Sequence, residues 1–310
     1  MKHLFLLSAI LLFVAQSFAQ NAGYEVLRIS DETRNRPIQI DVWYPTTEIE
    51  KTYNYGFSKG NVANKANIAA KKIPVILFSH GAMGAASNYS WLAEHLARKN
   101  YLVIGVSHFG ESLVFGFDSI DPTSVARFGD RTKDLNFALE SIIGRSKYAE
   151  NIDSTRIGAI GHSSGGASVL MINGAEFSPE KLVEYCRKSK PGNDKGCDYP
   201  RGVENDITRF MPTKSARVFK AIVALDPAVG QGFTKNGLKS SITPTLIIGS
   251  VKNDFLPFKF HAGYLGNRIK KAEIHKLNDG EGHFVYLDEC SLPIKVMGIP
   301  LCTDANAVDR

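Results

Sequence analysis

Short apolar runs alternate with helical patterns along most of the chain, and this order predicts an α/β fold with a mostly parallel central sheet. Runs rich in β-branched residues predict six strands, at residues 73–79, 101–107, 156–160, 219–225, 244–249 and 272–277. Helical spacing is found between the earlier runs, at residues 87–99, 131–143 and 166–172. Because the strand patterns are apolar throughout, we expect helices to flank the sheet on both faces.

Two segments differ from this rhythm near the N-terminus. Residues 24–28 and 38–44 alternate between apolar and polar positions, which predicts a pair of antiparallel strands before the parallel part. The polar stretch from 46 to 72 is predicted to be a long loop.

A polar, charged excursion separates the helix at 166–172 from the next strand. It covers residues 176–215 and contains Cys186 and Cys197. We expect it to cross the top edge of the sheet, held by a disulfide, after the helix at 166–172. A lid over a functional site at this edge and a plain surface loop are both compatible with this pattern.

The N-terminal residues have the pattern of a signal peptide. Lys2 and His3 are followed by an apolar run at 4–14 and a small-residue cleavage pattern at 17–19. This predicts that residues 1–19 are removed and that 20–310 form a single domain, exported to the periplasm or secreted. An uncleaved membrane anchor is the alternative, and no later segment predicts a stable membrane span.

Four cysteines fit an exported protein, and they fall into two local pairs. Four cysteines allow three connectivities, of which short loop closure favours Cys186 with Cys197 and Cys290 with Cys302. The spacing includes no CxxC motif with adjacent histidines, so we expect no metal site.

Composition excludes some function classes. The chain has 310 residues, 44% of them hydrophobic and 22% charged, with a formal charge of +6. The basic residues are scattered and are not interleaved with aromatic residues, which argues against nucleic-acid binding. The pattern does not indicate an oligomeric state.

The sequence GHSSG at residues 161–165 supplies the strongest chemical signal. A strand pattern precedes it and a helix pattern follows, which is the context of a nucleophile elbow rather than of a chance Gly/Ser-rich turn. We expect Ser163 to lie on a sharp turn with its oxygen exposed at the tip of the sheet. Small neighbours allow strand and helix to approach this strained residue closely.

A serine nucleophile needs a histidine base, and three histidines follow Ser163. His275 lies within a strand pattern and His261 in a helical stretch after a proline. His283 lies in a glycine-flanked loop after the last parallel strand, where the base of this arrangement is expected.

Two carboxylates compete to orient His283. Asp226 ends the strand pattern at 219–225, and Asp254 follows the next strand at 244–249. Both lie where the carboxyl ends of parallel strands form a ligand-binding edge, so the residues alone leave the choice open.

The oxyanion hole should use two backbone N–H groups. One belongs to Ser164, directly after the nucleophile. The other is expected at Ala82, in the loop HGAMG at residues 80–84. His80 would then brace this loop without titrating in catalysis.

Together these motifs resemble the α/β-hydrolase superfamily. The motifs are VILFSHG at 75–81, GHSSGG at 161–166, ALD at 224–226 and GH at 282–283. The chain is most similar to the exported "predicted dienelactone hydrolase" group, the plasma platelet-activating factor acetylhydrolases and the chlorophyllases. VWYP at 42–45 resembles the "YYP" strand end of the acetylhydrolases.

The resemblance bears on the choice of acid. In acetylhydrolases and chlorophyllases the acid occupies the strand end that maps onto Asp226. In polyester hydrolases and true dienelactone hydrolases it maps onto Asp254, so the resemblance favours Asp226. True dienelactone hydrolases use a cysteine nucleophile, and Ser163 therefore counts against a dienelactone substrate.

The sequence thus predicts a serine hydrolase that cleaves small-molecule carboxylic esters, lipid-like or with small acyl groups, through an acyl-enzyme. The triad is Ser163, Asp226 and His283, and no metal or organic cofactor is required. An amidase or peptidase with the same triad, and a binding protein that has lost activity, are the alternatives. Phe115, Phe117 and Phe128 belong either to an apolar acyl pocket or to the core.

Overall fold

A ten-stranded mixed sheet forms the centre of the fold. The computed structural model describes residues 20–189, 194–202, 209–290, 295–296, 299–301 and 308. In spatial order the strands are β10-β9-β8-β7-β5-β6-β2-β1-β4-β3. In chain order they are β1 (Asn21–Asp31), β2 (Arg36–Thr46), β3 (Lys51–Asn54), β4 (Lys59–Asn64), β5 (Ile73–Ser79), β6 (Leu102–Ser107), β7 (Ile152–His162), β8 (Ala221–Leu225), β9 (Thr245–Ser250) and β10 (Ala272–Leu277).

The predicted parallel sheet is confirmed for the six strands from β10 to β6. Each neighbouring pair in this part of the sheet is parallel. β1 and β2 form the predicted antiparallel pair, and β2 joins the sheet antiparallel to β6. A separate two-stranded ribbon is formed by β11 (Lys295–Val296) and β12 (Ile299–Pro300).

The prediction of a long loop from 46 to 72 was wrong, because this stretch contains the β3–β4 hairpin. The hairpin extends the sheet by pairing β4 with β1. Its side chains are mostly exposed at the sheet edge, so its composition is polar. Aromatic contacts hold it, since the ring of Tyr24 lies 5.0 Å from those of Tyr53 and Tyr55.

Helices cover both faces of the sheet. Alternate side chains of β5 enter different hydrophobic clusters, with Val75 and Leu77 in one and Phe78 in the other. This alternation explains why the strand is apolar throughout. The helices are α1 (Ser90–Arg98), α2 (Phe128–Arg145), α3 (Ser164–Ile172), α4 (Pro179–Ser189), α5 (Lys235–Ser240) and α6 (Ala262–Gly266).

The excursion at 176–215 carries α4 and the predicted disulfide. Cys186 in α4 is bonded to Cys197, 11 positions further along the chain. The second predicted bridge, Cys290 with Cys302, cannot be placed in the same way, since Cys302 lies outside the described residues. The predicted signal peptide at 1–19 also lies outside them. Among the helices that the structure describes, none has the length and apolarity to cross a bilayer.

Removing the disulfide should destabilise the protein without changing its fold. The bridge closes a short loop, and in the chain-entropy model replacing Cys186 and Cys197 together by alanine costs about 2–3 kcal/mol of unfolding free energy. Urea unfolding of the double variant and of the oxidised wild type measures this loss. Free thiols at both positions in non-reducing mass spectrometry of the exported protein would contradict the bridge.

Candidate active site

Ser163 lies on a strained turn between β7 and α3. Its φ of 56° and ψ of −119° are uncommon for a residue with a side chain. A Cβ at Gly161 would overlap the backbone of Gly165, and one at Gly165 would overlap the carbonyl of Ser79. The glycines are therefore required by close packing of strand, turn and helix, as the elbow pattern predicts.

The prediction of an exposed nucleophile needs correction, because only 3% of Ser163 is accessible. The loop that carries Gly81 covers it, and a Cβ placed on Gly81 would lie 3.4 Å from the Cβ of Ser163. A substrate therefore has to reach the serine through the surrounding loops.

Hydrogen bonds of the elbow bring Asp226 beside the serine. The N–H of Ser163 donates to the carbonyl of Leu225 at 2.9 Å, and the N–H of Ala228 donates to the carbonyl of Ser163 at 3.0 Å. These two bonds bracket Asp226 along the chain. Asp226 itself has a positive φ of 37°, so backbone strain is found at both residues.

Asp226 faces the imidazole of His283. Its Oδ2 lies 3.7 Å from Nδ1 of His283, longer than a hydrogen bond, and its Oδ1 accepts the N–H of Ser250 at 2.9 Å. Both side chains are almost completely buried. The structure thus brings together the three residues that the sequence analysis assigned to the triad.

Asp254 makes a different contact with the same histidine. Its Oδ1 accepts the backbone N–H of His283 at 2.9 Å. The carboxylate of Asp254 therefore anchors the main chain of His283, whereas Asp226 faces the ring. Asp226 and Asp254 therefore occupy distinct positions around His283, which the sequence motifs alone did not distinguish.

Burial controls the protonation of the pair. Removal from water raises the pKa of Asp226 to about 7, against hydrogen bonds from Ser250 that act to lower it. Burial also lowers the pKa of His283 to about 3. At neutral pH the imidazole is therefore uncharged and can accept a proton.

The loop after β9 supplies two neighbours of His283 that the sequence analysis missed. The ring of Phe255 stacks on the imidazole, with centroids 5.1 Å apart and an interplanar angle of 7°. Nδ2 of Asn253 lies 3.4 Å from Nδ1 of His283, while Oδ1 of Asn253 accepts the N–H groups of Phe255 and Leu256. Only the tertiary structure places these side chains, since no motif marks them.

The loop at 80–84 is held from beneath by a buried ion pair. Arg131 bonds Glu111 through two nitrogens at 2.7 Å and donates to the carbonyls of His80 at 2.9 Å and Gly81 at 3.3 Å. Burial acts to raise the pKa of Glu111, but the charge and hydrogen bonds of Arg131 outweigh it and lower the pKa to about 2. The pair is therefore ionised at neutral pH.

His80 braces this loop, in agreement with its expected role. Its Nδ1 donates to the carbonyl of Gly81 at 2.6 Å, and its Nε2 accepts the N–H of His108 at 3.1 Å. In a trans peptide the carbonyl and the following N–H point in opposite directions. Clamping the Gly81 carbonyl thus fixes the direction of the Ala82 N–H, while Ser164 begins α3. The assignment of the Ala82 and Ser164 N–H groups to an oxyanion hole stays a prediction.

The excursion is docked beside the loop that carries Phe255, which stacks on His283. The N–H of Lys195 donates to the carbonyl of Phe255 at 3.0 Å. Asp194 bonds Nε2 of His261 at 2.9 Å and accepts the hydroxyl of Tyr185 at 2.9 Å. His261 therefore anchors the excursion, and His275 is exposed on the edge strand β10. Neither histidine competes with His283.

The aromatic residues proposed for an acyl pocket have different environments. Phe128 begins α2 and is buried in the core, while Phe117 is 83% exposed. The ring of Phe115 packs against that of Phe109, with centroids 5.5 Å apart. The described residues include no group of three or more His, Cys, Asp or Glu side chains arranged to hold a metal ion.

A polar cavity of about 410 Å³ lies away from the triad, and neither Ser163, Asp226 nor His283 lines it. Ion pairs dominate its walls, for example Arg127 with Asp121 at 2.8 Å. It is lined by Arg34, Asn35, Arg36, Phe109, Gly110, Ser119, Asp121, Arg127, Asp130, Lys133 and Arg209.

Comparisons with known proteins point to esterases. The family model "Platelet-activating factor acetylhydrolase, isoform II" matches residues 46–133. Cutinase 1 of Thermobifida cellulosilytica is 30% identical over 230 residues, which cover 72% of this chain and 63% of the cutinase. A cutinase of Thermobifida fusca is also 30% identical over 230 residues, covering 72% of this chain and 55% of that protein. The chain thus spans less than two thirds of the length of these relatives.

A solved structure shares the fold. A ferulic acid esterase from Streptomyces cinnamoneus superimposes with a TM-score of 0.53 at 19% sequence identity, covering 88% of this chain and 77% of that chain. At this identity the likeness concerns the fold.

Proposed function

The chain belongs to the α/β-hydrolase superfamily, and on that premise we propose that it is a serine hydrolase that cleaves carboxylic esters through an acyl-enzyme. The observation that carries the proposal is a buried Asp–His pair next to the elbow that holds a buried serine. Ser163 sits on the strained elbow, and Asp226 and His283 face each other at 3.7 Å beside it.

In the first half of the reaction, Ser163 attacks the ester carbonyl while Nε2 of His283 takes the hydroxyl proton. His283 then gives this proton to the leaving alkoxide, and the acyl group remains on Ser163. Asp226 orients the imidazole and stabilises its charged form. Water repeats the sequence in the second half and releases the acid.

The oxyanion of each tetrahedral intermediate is held by the N–H groups of Ser164 and Ala82. The Ser164 N–H lies at the positive end of α3. The Ala82 N–H belongs to a peptide whose carbonyl is clamped by His80 and Arg131. Donors fixed in this way need no reorganisation when charge develops, and each contributes about 3 kcal/mol.

The names of the similar proteins support an ester substrate, since they describe an acetylhydrolase, cutinases and a ferulic acid esterase. We propose a small-molecule ester with a lipid-like or small acyl group. The disulfide between Cys186 and Cys197 supports export to the periplasm or secretion, because such bonds persist in oxidising compartments. In this proposal the excursion docked against Phe255 acts as a lid.

Labelling with a fluorophosphonate tests the proposal, because only an activated serine reacts. Peptide mapping should place the label on Ser163. A series of p-nitrophenyl esters from acetyl to dodecanoyl then reports the acyl preference, with p-nitroanilides of the same acyl groups as controls. Faster cleavage of the anilides would favour an amidase, and an unlabelled protein without esterase activity would favour a binding role.

A further inference from the structure

An unbroken series of hydrogen bonds links the oxyanion loop to the loop that carries the base. The N–H of Gly81 donates to the hydroxyl of Tyr89 at 3.1 Å. That hydroxyl lies 2.7 Å from Nδ1 of His162, and Nε2 of His162 lies 2.9 Å from the carbonyl oxygen of His283. Three parts of the protein that are distant in sequence are joined in this way, since Gly81 and Tyr89 lie only eight positions apart.

Hydrogen-bond chemistry fixes the direction of every step. A carbonyl oxygen can only accept, so Nε2 of His162 carries the proton that is donated to His283. Burial and the neighbouring His283 lower the pKa of His162 well below 6.5, so its ring is neutral. Its Nδ1 is then an acceptor, and Tyr89 must donate to it. Every hydrogen bond of the series is therefore donated in the same direction, from Gly81 towards His283.

The side chains that form this series of hydrogen bonds are shielded from water. Tyr89 is 2% exposed, and His162 and His283 are each 1% exposed. The imidazoles of His162 and His283 lie with their centroids 4.6 Å apart, and the ring of Tyr286 covers His162 at 5.1 Å. Hydrogen bonds in such surroundings are stronger than in water and polarise one another.

We propose that Tyr89 and His162 form a positioning relay, which keeps the oxyanion loop and the base loop aligned with the nucleophile. His162 is covalently joined to Ser163, so its two ring nitrogens tie the loops on either side directly to the elbow. Both are positioning residues, since in this proposal they act through the loops to which they are hydrogen-bonded. This inference rests on the proposed function.

The geometry explains why alignment depends on this relay. Gly81 precedes Ala82, whose N–H is the expected oxyanion donor, and the His283 carbonyl belongs to the residue that carries the base. Loss of either end lets donor and base shift relative to Ser163, and a misplacement of about 1 Å in an active site costs about 100-fold in rate. The loss should fall on kcat rather than on KM.

Two substitutions at His162 separate the halves of the relay. An asparagine amide occupies the position of Nδ1 and can still accept from Tyr89, but it does not reach the carbonyl of His283. A glutamine amide reaches the position of Nε2 and can still donate to His283, but it loses the acceptor for Tyr89. We expect His162→Asn, His162→Gln and Tyr89→Phe each to lower kcat about 10- to 100-fold, with KM changed less than about twofold.

Tyr44→Phe is the matched control. Tyr44 is also fully buried and its hydroxyl donates to the carbonyl of Ala66 at 2.9 Å, but it lies outside the relay. Its kcat should stay within about threefold of wild type, although it loses a similar buried hydrogen bond. A loss as large as that of Tyr89→Phe would overturn the relay, as would wild-type kcat in both His162 variants.

A double-mutant cycle tests whether the relay acts as one unit. His162→Gln already removes the acceptor for Tyr89, and adding Tyr89→Phe removes only the remaining bond from Gly81, so the double variant should lose less kcat than the product of the two single losses. Independent contacts would multiply the two losses, and that result would overturn the proposal. Circular dichroism and Tm of each variant identify any that fail to fold.

Two further measurements separate this proposal from the proposed function. Fluorophosphonate labelling of wild-type Ser163 tests the function alone. Nitrogen-15 NMR of labelled histidine tests the relay without any turnover, with the His162 signals assigned by their loss in His162→Gln. We expect a neutral ring protonated at Nε2 from about pH 5 to about pH 8. A ring that titrates in this range, or that is protonated at Nδ1, would overturn the relay even in an active esterase.

Discussion

Replacing Ser163 by alanine is expected to lower ester hydrolysis at least about 1,000-fold while the protein stays folded. The substitution removes one oxygen and retains the Cβ that the elbow accommodates. The variant should also resist fluorophosphonate. Hydrolysis of p-nitrophenyl acetate and the urea unfolding curve measure activity and stability separately.

Ser168→Ala is the control for this variant. Ser168 lies one turn further along α3, is buried, and donates its hydroxyl to the carbonyl of Ser164 at 2.8 Å. Activity of Ser168→Ala should remain near that of wild type. Ester hydrolysis by Ser163→Ala well above a thousandth of wild type would mean that another residue is the nucleophile.

Asp226→Asn should cost about four orders of magnitude in turnover, because an amide at this position holds the imidazole in the wrong tautomer. The geometry supports this expectation, since Oδ2 of Asp226 lies 3.7 Å from Nδ1 of His283. The fold should persist, because the amide oxygen can still accept the N–H of Ser250. Steady-state kinetics and Tm provide the measurement.

The pH dependence gives a second measure of the same role. The reaction needs an ionised Asp226, and burial raises its pKa to about 7. Activity of the wild type should therefore fall as the pH decreases through about 7. The pKa of His283 is lowered to about 3, so protonation of His283 does not account for a loss of activity near pH 7. The residual activity of Asp226→Asn should not fall as the pH decreases through about 7.

Asp254→Asn is the matched variant, since it makes the same chemical change on the competing carboxylate. An asparagine oxygen can still accept the backbone N–H of His283, which Asp254 bonds at 2.9 Å. The loss should therefore be far smaller than for Asp226→Asn. The opposite ranking would assign the acid to Asp254, as in the polyester hydrolases.

Periodicity predicted the parallel sheet because its strands are buried on both faces and are therefore apolar throughout. The same argument failed for the β3–β4 hairpin. Its strands lie at an exposed edge and are mostly polar. Their sequence therefore cannot be distinguished from that of a polar loop. Aromatic contacts between Tyr24 and Tyr53 stabilise it, and these join residues far apart in the chain.

The elbow and the position of the candidate base were predictable because both depend on local sequence. The glycines around Ser163 are required by overlap with neighbouring backbone, and His283 lies in a short loop after the last parallel strand. The burial of Ser163 was not predictable, since it results from the loop that carries Gly81.

The sequence by itself determined the order of the sheet elements, the elbow and the positions of the candidate nucleophile and base. These features follow from residue type and spacing over a few neighbouring positions. Only the tertiary structure decided that Asp226 faces the imidazole while Asp254 bonds the main chain, and that His162 joins Tyr89 to His283. Those contacts depend on how loops from different strands converge at one edge of the sheet, where small displacements select one hydrogen-bond partner over another.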